Sequence, residues 1–411
     1  MTYIKPEITS NQLSSTRTIL KQAATAAQDY KWLEVSEGLK LLPQTNGRPK
    51  LFLLNPPEWQ IARDLALAML IEADFQHKWE VAKLLPLFGS QITNTLNDLL
   101  HDENIDTEVR WFICKVLGNF PRQEVILSLV ALLGQTSDSE LIDIAGKTLI
   151  KIGDSAIEAL VGLLEKPQHR LLAVQALYYI RTAQTITPLL QIATDLDPQL
   201  RAIAVKALGS FHDRRIPPVL IAALEDRNSG VRKEAAIALG FRSDLCQELS
   251  LITHLQPLLW DLDLEVCRQA AIALGRMKHE AATTALFEVL RAETTPISLK
   301  SDLIKALGWS ELSLGISYLQ QALDTAEPQT SQEIVTVLGR INPPELKPQA
   351  AQVLINFGQN HQLVSSGIKQ ALATSLGELR YNSAQQILTK LAQDSDRKVQ
   401  LSAQAALRKL A

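Results

Sequence analysis

The side chains able to do chemistry are few and scattered. One dipeptide, His279-Glu280, sets an imidazole beside a carboxylate. A two-iron centre needs several such pairs, each presented from facing helix ends, so a single copy reads as a turn. His77, His101, His169, His212, His254 and His361 occupy unrelated positions, and neither a converging metal site nor a bound metal is expected. Cys114, Cys246 and Cys267 lie far apart without CxxC or CxH spacing, which indicates neither a zinc knuckle nor a disulfide framework. Cys114 and Cys267 have no histidine neighbour in sequence to lower a thiol pKa. The cysteines therefore read as packing residues in a reducing compartment. Gly-rich phosphate loops and nucleophile elbows are missing too, so no catalytic residue is nominated.

What the sequence does offer is a row of cations flanked by indoles. Lys83, Lys115, Lys147 and Lys206 stand at equivalent places in a recurring pattern, and Trp79 and Trp111 precede the first two by four residues. Four residues is one helical turn, so each indole sets an apolar anchor beside a charge, a combination enriched in binding hot spots.

The element that must position them is a ten-residue block. Its clearest copy is VRKEAAIALG at residues 231–240, with relatives ending at Gly118, Gly209, Gly275 and Gly308 and weaker ones ending at Pro86, Ile150, Tyr178, Gly339, Gly377 and Arg408. The steps between these ends run from 28 to 38 residues, which is two short helices and two turns. Val231, Ala235, Ala238 and Leu239 form one apolar stripe, placing Ala238 where the two helices of a pair approach. Segments such as IPPVLIAALED and TALFEVLRAE supply the first helix of each pair, and Pro suits its first turn. The Gly closing the block suits a left-handed cap. An Asp six residues before an Arg recurs, Asp195 with Arg201 and Asp226 with Arg232; it can cap the second helix or pair with an Arg of an adjacent repeat.

No helix pair buries its stripe alone, so the pairs must stack. The expected fold is all-α: a right-handed α-solenoid of about 10–11 helix pairs over residues 56–411, behind an N-terminal helical cap and loop at residues 1–55. Period-2 alternation never persists, so no sheet is expected. Block positions 3, 6, 7 and 10 should face the concave surface. With stacked helices about 10 Å apart, Lys83, Lys115 and Lys147 would form a track roughly 20 Å long.

Composition narrows the partner. Lys plus Arg number 41 against 44 Asp plus Glu, a formal charge of -3, which gives no field toward nucleic acid. The opening MTYIKPEITSNQLSS has no apolar core behind basic residues, and no run of eighteen apolar residues occurs. A cytoplasmic chain without a membrane span is expected.

The pattern D-x-x-x-x-V-R-x-x-A-x-x-A-L-G resembles that of HEAT repeats, over roughly residues 75–411. Its Ala-rich form resembles the phycobilisome-lyase type common in cyanobacteria, and DFQHKWEVAKLLP and EVRWFICKVLG look like segments of large cyanobacterial HEAT proteins. Such repeats serve phycobilin lyase subunits, phycobilisome degradation factors, hydroxylases and plain scaffolds. The resemblance implies a non-enzymatic scaffold or chaperone-like adaptor linked to phycobilisome or photosynthetic assembly, and the lysine row adds that the protein partner held on the concave face is acidic. The alternative is a bilin lyase or bilin-protein assembly or degradation factor, with a bilin as its only cofactor.

Overall fold

The structure, a computed structural model, describes residues 10–42, 44–45, 48–49, 51–360 and 365–410. His361 and the first nine residues lie outside the described residues. Among those described are twenty-four α-helices. Two N-terminal helices, Ser10–Gln28 and Trp32–Lys40, precede eleven successive helix pairs, the first being Pro56–Glu72 with Phe75–Leu84 and the last Gln385–Leu391 with Arg397–Leu410. The chain is an α-solenoid. The expected absence of sheet needs one correction: Gln44–Thr45 and Arg48–Pro49 pair as a minimal antiparallel ladder, too short to print an alternating pattern. No described helix is long and apolar enough to cross a membrane.

The chain divides into two compact units after Pro188. In the first, both N-terminal helices pack on Pro56–Glu72, and the second helices Phe75–Leu84, Thr107–Leu117, Ser139–Ile152 and Arg170–Ile180 pack in succession. In the second, the row runs from Pro198–Leu208 through Ser229–Gly240, Leu264–Arg276 and Ile297–Trp309 to Arg397–Leu410. A second helix inside a row thus packs on its own partner and on one second helix on either side, and several also touch the first helix of the next pair.

That crowding corrects the reading of the block-end glycines. Gly118, Gly209 and Gly339 have φ of -62°, -57° and -66°, in the right-handed region, and Gly240 and Gly275 lie inside their helices. They are not left-handed caps. A Cβ added at Gly209 would stand 2.6 Å from the Ala238 Cβ, and one at Gly275 would stand 2.8 Å from the Ala306 carbonyl oxygen. The glycines let successive second helices approach closely. Ala238 accordingly meets the preceding repeat's second helix.

The turns within the pairs are joined by a ladder of arginines. Arg201 donates to both carboxylate oxygens of Asp226, each at 2.7 Å, and to the carbonyl of Asp195 at 2.8 Å. Arg232 repeats the pattern one step on, bidentate to Asp261 at 2.7 Å and bonded to the carbonyl of Asp226 at 2.7 Å. Asp226 and Asp261 therefore each pair with the Arg of the preceding repeat, the adjacent-repeat role that the sequence leaves open for Asp226. Helix capping falls to the residue two positions on, as Asp197 accepts from Gln199 N, Asn228 from Gly230 N and Asp263 from Glu265 N. Cys267 occupies the arginine's place in the next block and donates only to the Asp261 carbonyl, at 3.2 Å.

His169, at the start of Arg170–Ile180, is buried, and its Nε2 has no hydrogen-bond partner among the described residues. Burial and then the nearby Lys166 charge hold its pKa below the ordinary 6.5. The unfolded chain therefore takes a proton near pH 6.5 that the folded chain resists. Stability should be fullest above pH 6.5 and fall as the pH drops from there toward the folded pKa. Denaturant midpoints at pH 7.5 and 5.5 should differ less in His169→Gln than in the parent; an unchanged difference would remove His169 as the cause.

Candidate partner-binding site

Packed on several sides, a second helix exposes only a narrow strip. Block position 6, expected at the surface, is buried at Cys114, Gly146, Val205, Ala236, Ala271 and Ile304, and position 10 is buried at Gly118, Gly240 and Gly275. These two positions face adjacent second helices. Positions 3 and 7 remain open to solvent in part or in full.

In the first unit this strip carries the predicted indoles and lysines. Trp79 and Trp111 are half-buried, each edge-on to the fully buried Phe112, with ring centroids 6.2 and 5.2 Å away. Phe75 stacks on Trp79 at 6.3 Å and leaves half its own surface exposed. Stacking of the two helices brings Lys115 back over the preceding repeat. Its Nζ lies 3.6 Å from the Trp79 ring centroid and 5.1 Å from that of Trp111, while Lys83 lies 6.0 Å from Trp79. The expected pairing of Trp79 with Lys83 along one helix thus yields to a closer pairing between helices.

The lysines are not equivalent. Lys83 is paired with Glu80 at 2.7 Å and Lys147 with Asp143 at 2.6 Å, each on its own helix. Lys206 is exposed on the second unit, so it is described apart from the others. Of Lys83, Lys115 and Lys147, Lys115 alone has no carboxylate partner among the described residues. Burial first, then the charges of Lys151 and Lys83, push its pKa below the usual 10.5. Lys151, which donates to Asn119 at 2.8 Å, completes a cationic cluster that the sequence reading missed because it lies beyond the ten-residue block. Phe75 was missed for the converse reason, since it precedes the block.

The second unit's strip is internally matched. Arg268 pairs with Asp302 at 3.2 Å, Lys305 pairs with Glu333 at 3.4 Å, and Ser301 donates to Glu333.

The remaining reactive groups have structural partners. His279 accepts from Ala281 N at 3.1 Å as the N-cap of Glu280–Arg291. Burial pushes the Cys114 thiol up to about 12 and raises those of Cys246 and Cys267, so all three stay protonated at neutral pH. Among the described residues, no group of three or more His, Cys, Asp or Glu side chains is placed to hold a metal ion.

A family model for HEAT repeats matches residues 105–181, 186–272 and 316–408. No curated protein matches the chain. Among solved structures, it is similar to a chain from a structure in which Kap95p binding induces the switch loops of RanGDP to adopt the GTP-bound conformation: 10% identity, 98% of this chain and 65% of that one covered, TM-score 0.56. An engineered protein is 22% identical over 88% of this chain and 97% of its own, with a TM-score of 0.35. Human deoxyhypusine hydroxylase in complex with glycerol is 20% identical over 65% of this chain and 99% of its own, with a TM-score of 0.29.

Proposed function

The chain belongs to the HEAT-repeat family, and from that premise we propose that it is a non-enzymatic adaptor whose first unit holds an acidic segment of a protein partner. The reading rests on Lys115. Its ammonium sits between two half-buried indoles, without a carboxylate and against the repulsion of Lys151 and Lys83. An arriving Asp or Glu side chain would relieve that repulsion, and the faces of Trp79 and Trp111 would cover an adjacent apolar group. Lys83 and Lys147, already paired, would contribute long-range attraction more than direct contacts; Lys206 belongs to the second unit and carries no part of this reading.

Affinity capture from lysate, repeated with a Lys115→Glu/Lys151→Glu variant, tests this. The parent should retain an acidic protein, release it as salt rises, and lose most of it in the variant. Equal capture by a folded variant would move the site elsewhere.

A second reading follows from the phycobilisome-lyase resemblance and the same two indoles. An open-chain tetrapyrrole would set its propionates on Lys115 and Lys151 and its rings on Trp79 and Trp111, making the chain a bilin lyase or a bilin-protein assembly or degradation factor. Co-expression with a bilin pathway separates the two, because only the second predicts visible absorbance in the purified protein.

A further inference from the structure

The edge of the second unit formed by the turns within its helix pairs carries large apolar side chains that stand in solvent. Leu196 and Leu262 are 98% and 105% exposed, and Trp260 is 57% exposed. Each leucine is the middle residue of an Asp-Leu-Asp turn whose backbone is fixed. Asp195 Oδ1 accepts from Asp197 N and Asp261 Oδ1 from Asp263 N, both at 2.8 Å. Arg201 Nη1 donates to the carbonyls of Asp195 and Leu196 at 2.8 and 3.0 Å. The bidentate bonds of Arg201 to Asp226 and of Arg232 to Asp261 set the three successive turns side by side. Leu196, Arg227 and Leu262 therefore project in sequence from a rigid edge. Beside Leu196 lies an open hollow of about 710 Å³, walled in part by Ala193, Pro218, Val219 and Ala222.

We propose that this edge is a docking surface for a basic amphipathic helical segment of a protein partner. Because the backbone of these turns is already fixed, binding costs only the rotamer freedom of the leucine side chains themselves, and the hollow can receive a partner's side chain as an anchor. Charge decides the kind of partner. With Asp226 and Asp261 taken by Arg201 and Arg232, the turns still present the carboxylates of Asp197, Glu225 and Asp263 against the guanidinium of Arg227. Lys and Arg flanking the partner's apolar face would meet them. Repeats about 10 Å apart put Leu196 and Leu262 roughly 20 Å apart, a span of about four turns of helix. The site is separate in place and in sign from the one proposed for the first unit.

The probe is a labelled 18-residue designed helix with Leu at i, i+3, i+4 and i+7 spacing and Lys elsewhere, titrated against the full chain by fluorescence anisotropy beside an otherwise identical Glu peptide. The Lys peptide should bind, the Glu peptide should not, and Leu196→Ser/Leu262→Ser should weaken binding by about tenfold or more with unchanged circular dichroism. Should the double variant misfold, Leu262→Ser alone serves with the same expected direction. Glu225→Lys should also weaken binding, most at low salt, and Lys115→Glu should leave it unaltered. Failure of the Lys peptide to bind, equal binding by the leucine variants, or preference for the Glu peptide would overturn the proposal. So would sedimentation showing dimers of the parent that the leucine variants dissolve, which would assign the edge to a second copy.

Discussion

Replacing Arg232 with Met should destabilise the second unit by about 2–4 kcal/mol, since the ion pair is part-buried and so falls between exposed pairs and the range for stripping one partner from a fully buried one. The Arg232 and Asp261 side chains are 17% and 9% exposed, so water cannot substitute well for the lost guanidinium. Asp261 would keep the Asp263 N–H as a donor, and the carbonyl of Asp226 would lose the bond from Arg232. Arg232→Lys should recover only part of the loss, since an ammonium cannot bridge both carboxylate oxygens and the carbonyl with the same planar fork. Adding Asp261→Leu to Arg232→Met should restore much of it, because no uncompensated charge then stays buried. The pH dependence has a defined sign. Burial alone would raise the Asp261 carboxyl, but hydrogen bonds from Arg232 and Asp263 N outweigh it and hold the pKa below the usual 3.8. The pair's contribution is therefore full above pH 3.8 and lost as the pH falls through the folded pKa, where parent and variant should converge. Guanidinium denaturation followed by circular dichroism measures this; a loss under about 1 kcal/mol would place the ladder with ordinary surface pairs.

The return of the block every 28 to 38 residues made the helix pairs legible, because a buried stripe must recur wherever the same packing recurs. What the sequence could not show is which partner each residue meets across the stack. The recurring Asp leaves open a helix cap or a pair with an Arg of an adjacent repeat; Asp226 takes the second role, and only the stack shows that the Arg is Arg201 of the preceding repeat. A Gly ending Ala-Leu-Gly suits a cap as well as a close crossing, and only its φ distinguishes them. The candidate strip was legible at Trp79 and Trp111, which recur at one block position. The contact of Lys115 with Trp79 depends on how neighbouring helices are offset, and Lys151 and Phe75 fall outside the repeating block. Leu196 and Leu262 were hidden more thoroughly, since an apolar residue in a turn carries no mark of whether its side chain turns inward.

Ala238→Phe tests the close crossing directly and should cost about 1–3 kcal/mol, the range for overpacking a filled layer. Ala238 is 5% exposed, and its Cβ faces Gly209, where even one added carbon would stand 2.6 Å away. A phenyl ring has no room unless Pro198–Leu208 and Ser229–Gly240 separate, which would also strain the Arg201–Asp226 bond between the same repeats. Loss on enlargement alone would not identify the neighbour, because packing within the helix pair predicts it as well. The discriminating experiment exchanges the two residues. Gly209→Ala should destabilise by contact with Ala238, and Ala238→Gly should destabilise through lost packing and the poorer helix propensity of Gly, itself about 1 kcal/mol. Combined, the two conserve the volume at the crossing, so the double variant should be more stable than the sum of the single losses predicts. Strict additivity in thermal or denaturant unfolding would mean that the two positions do not meet, and the close approach of successive second helices would have to be placed elsewhere.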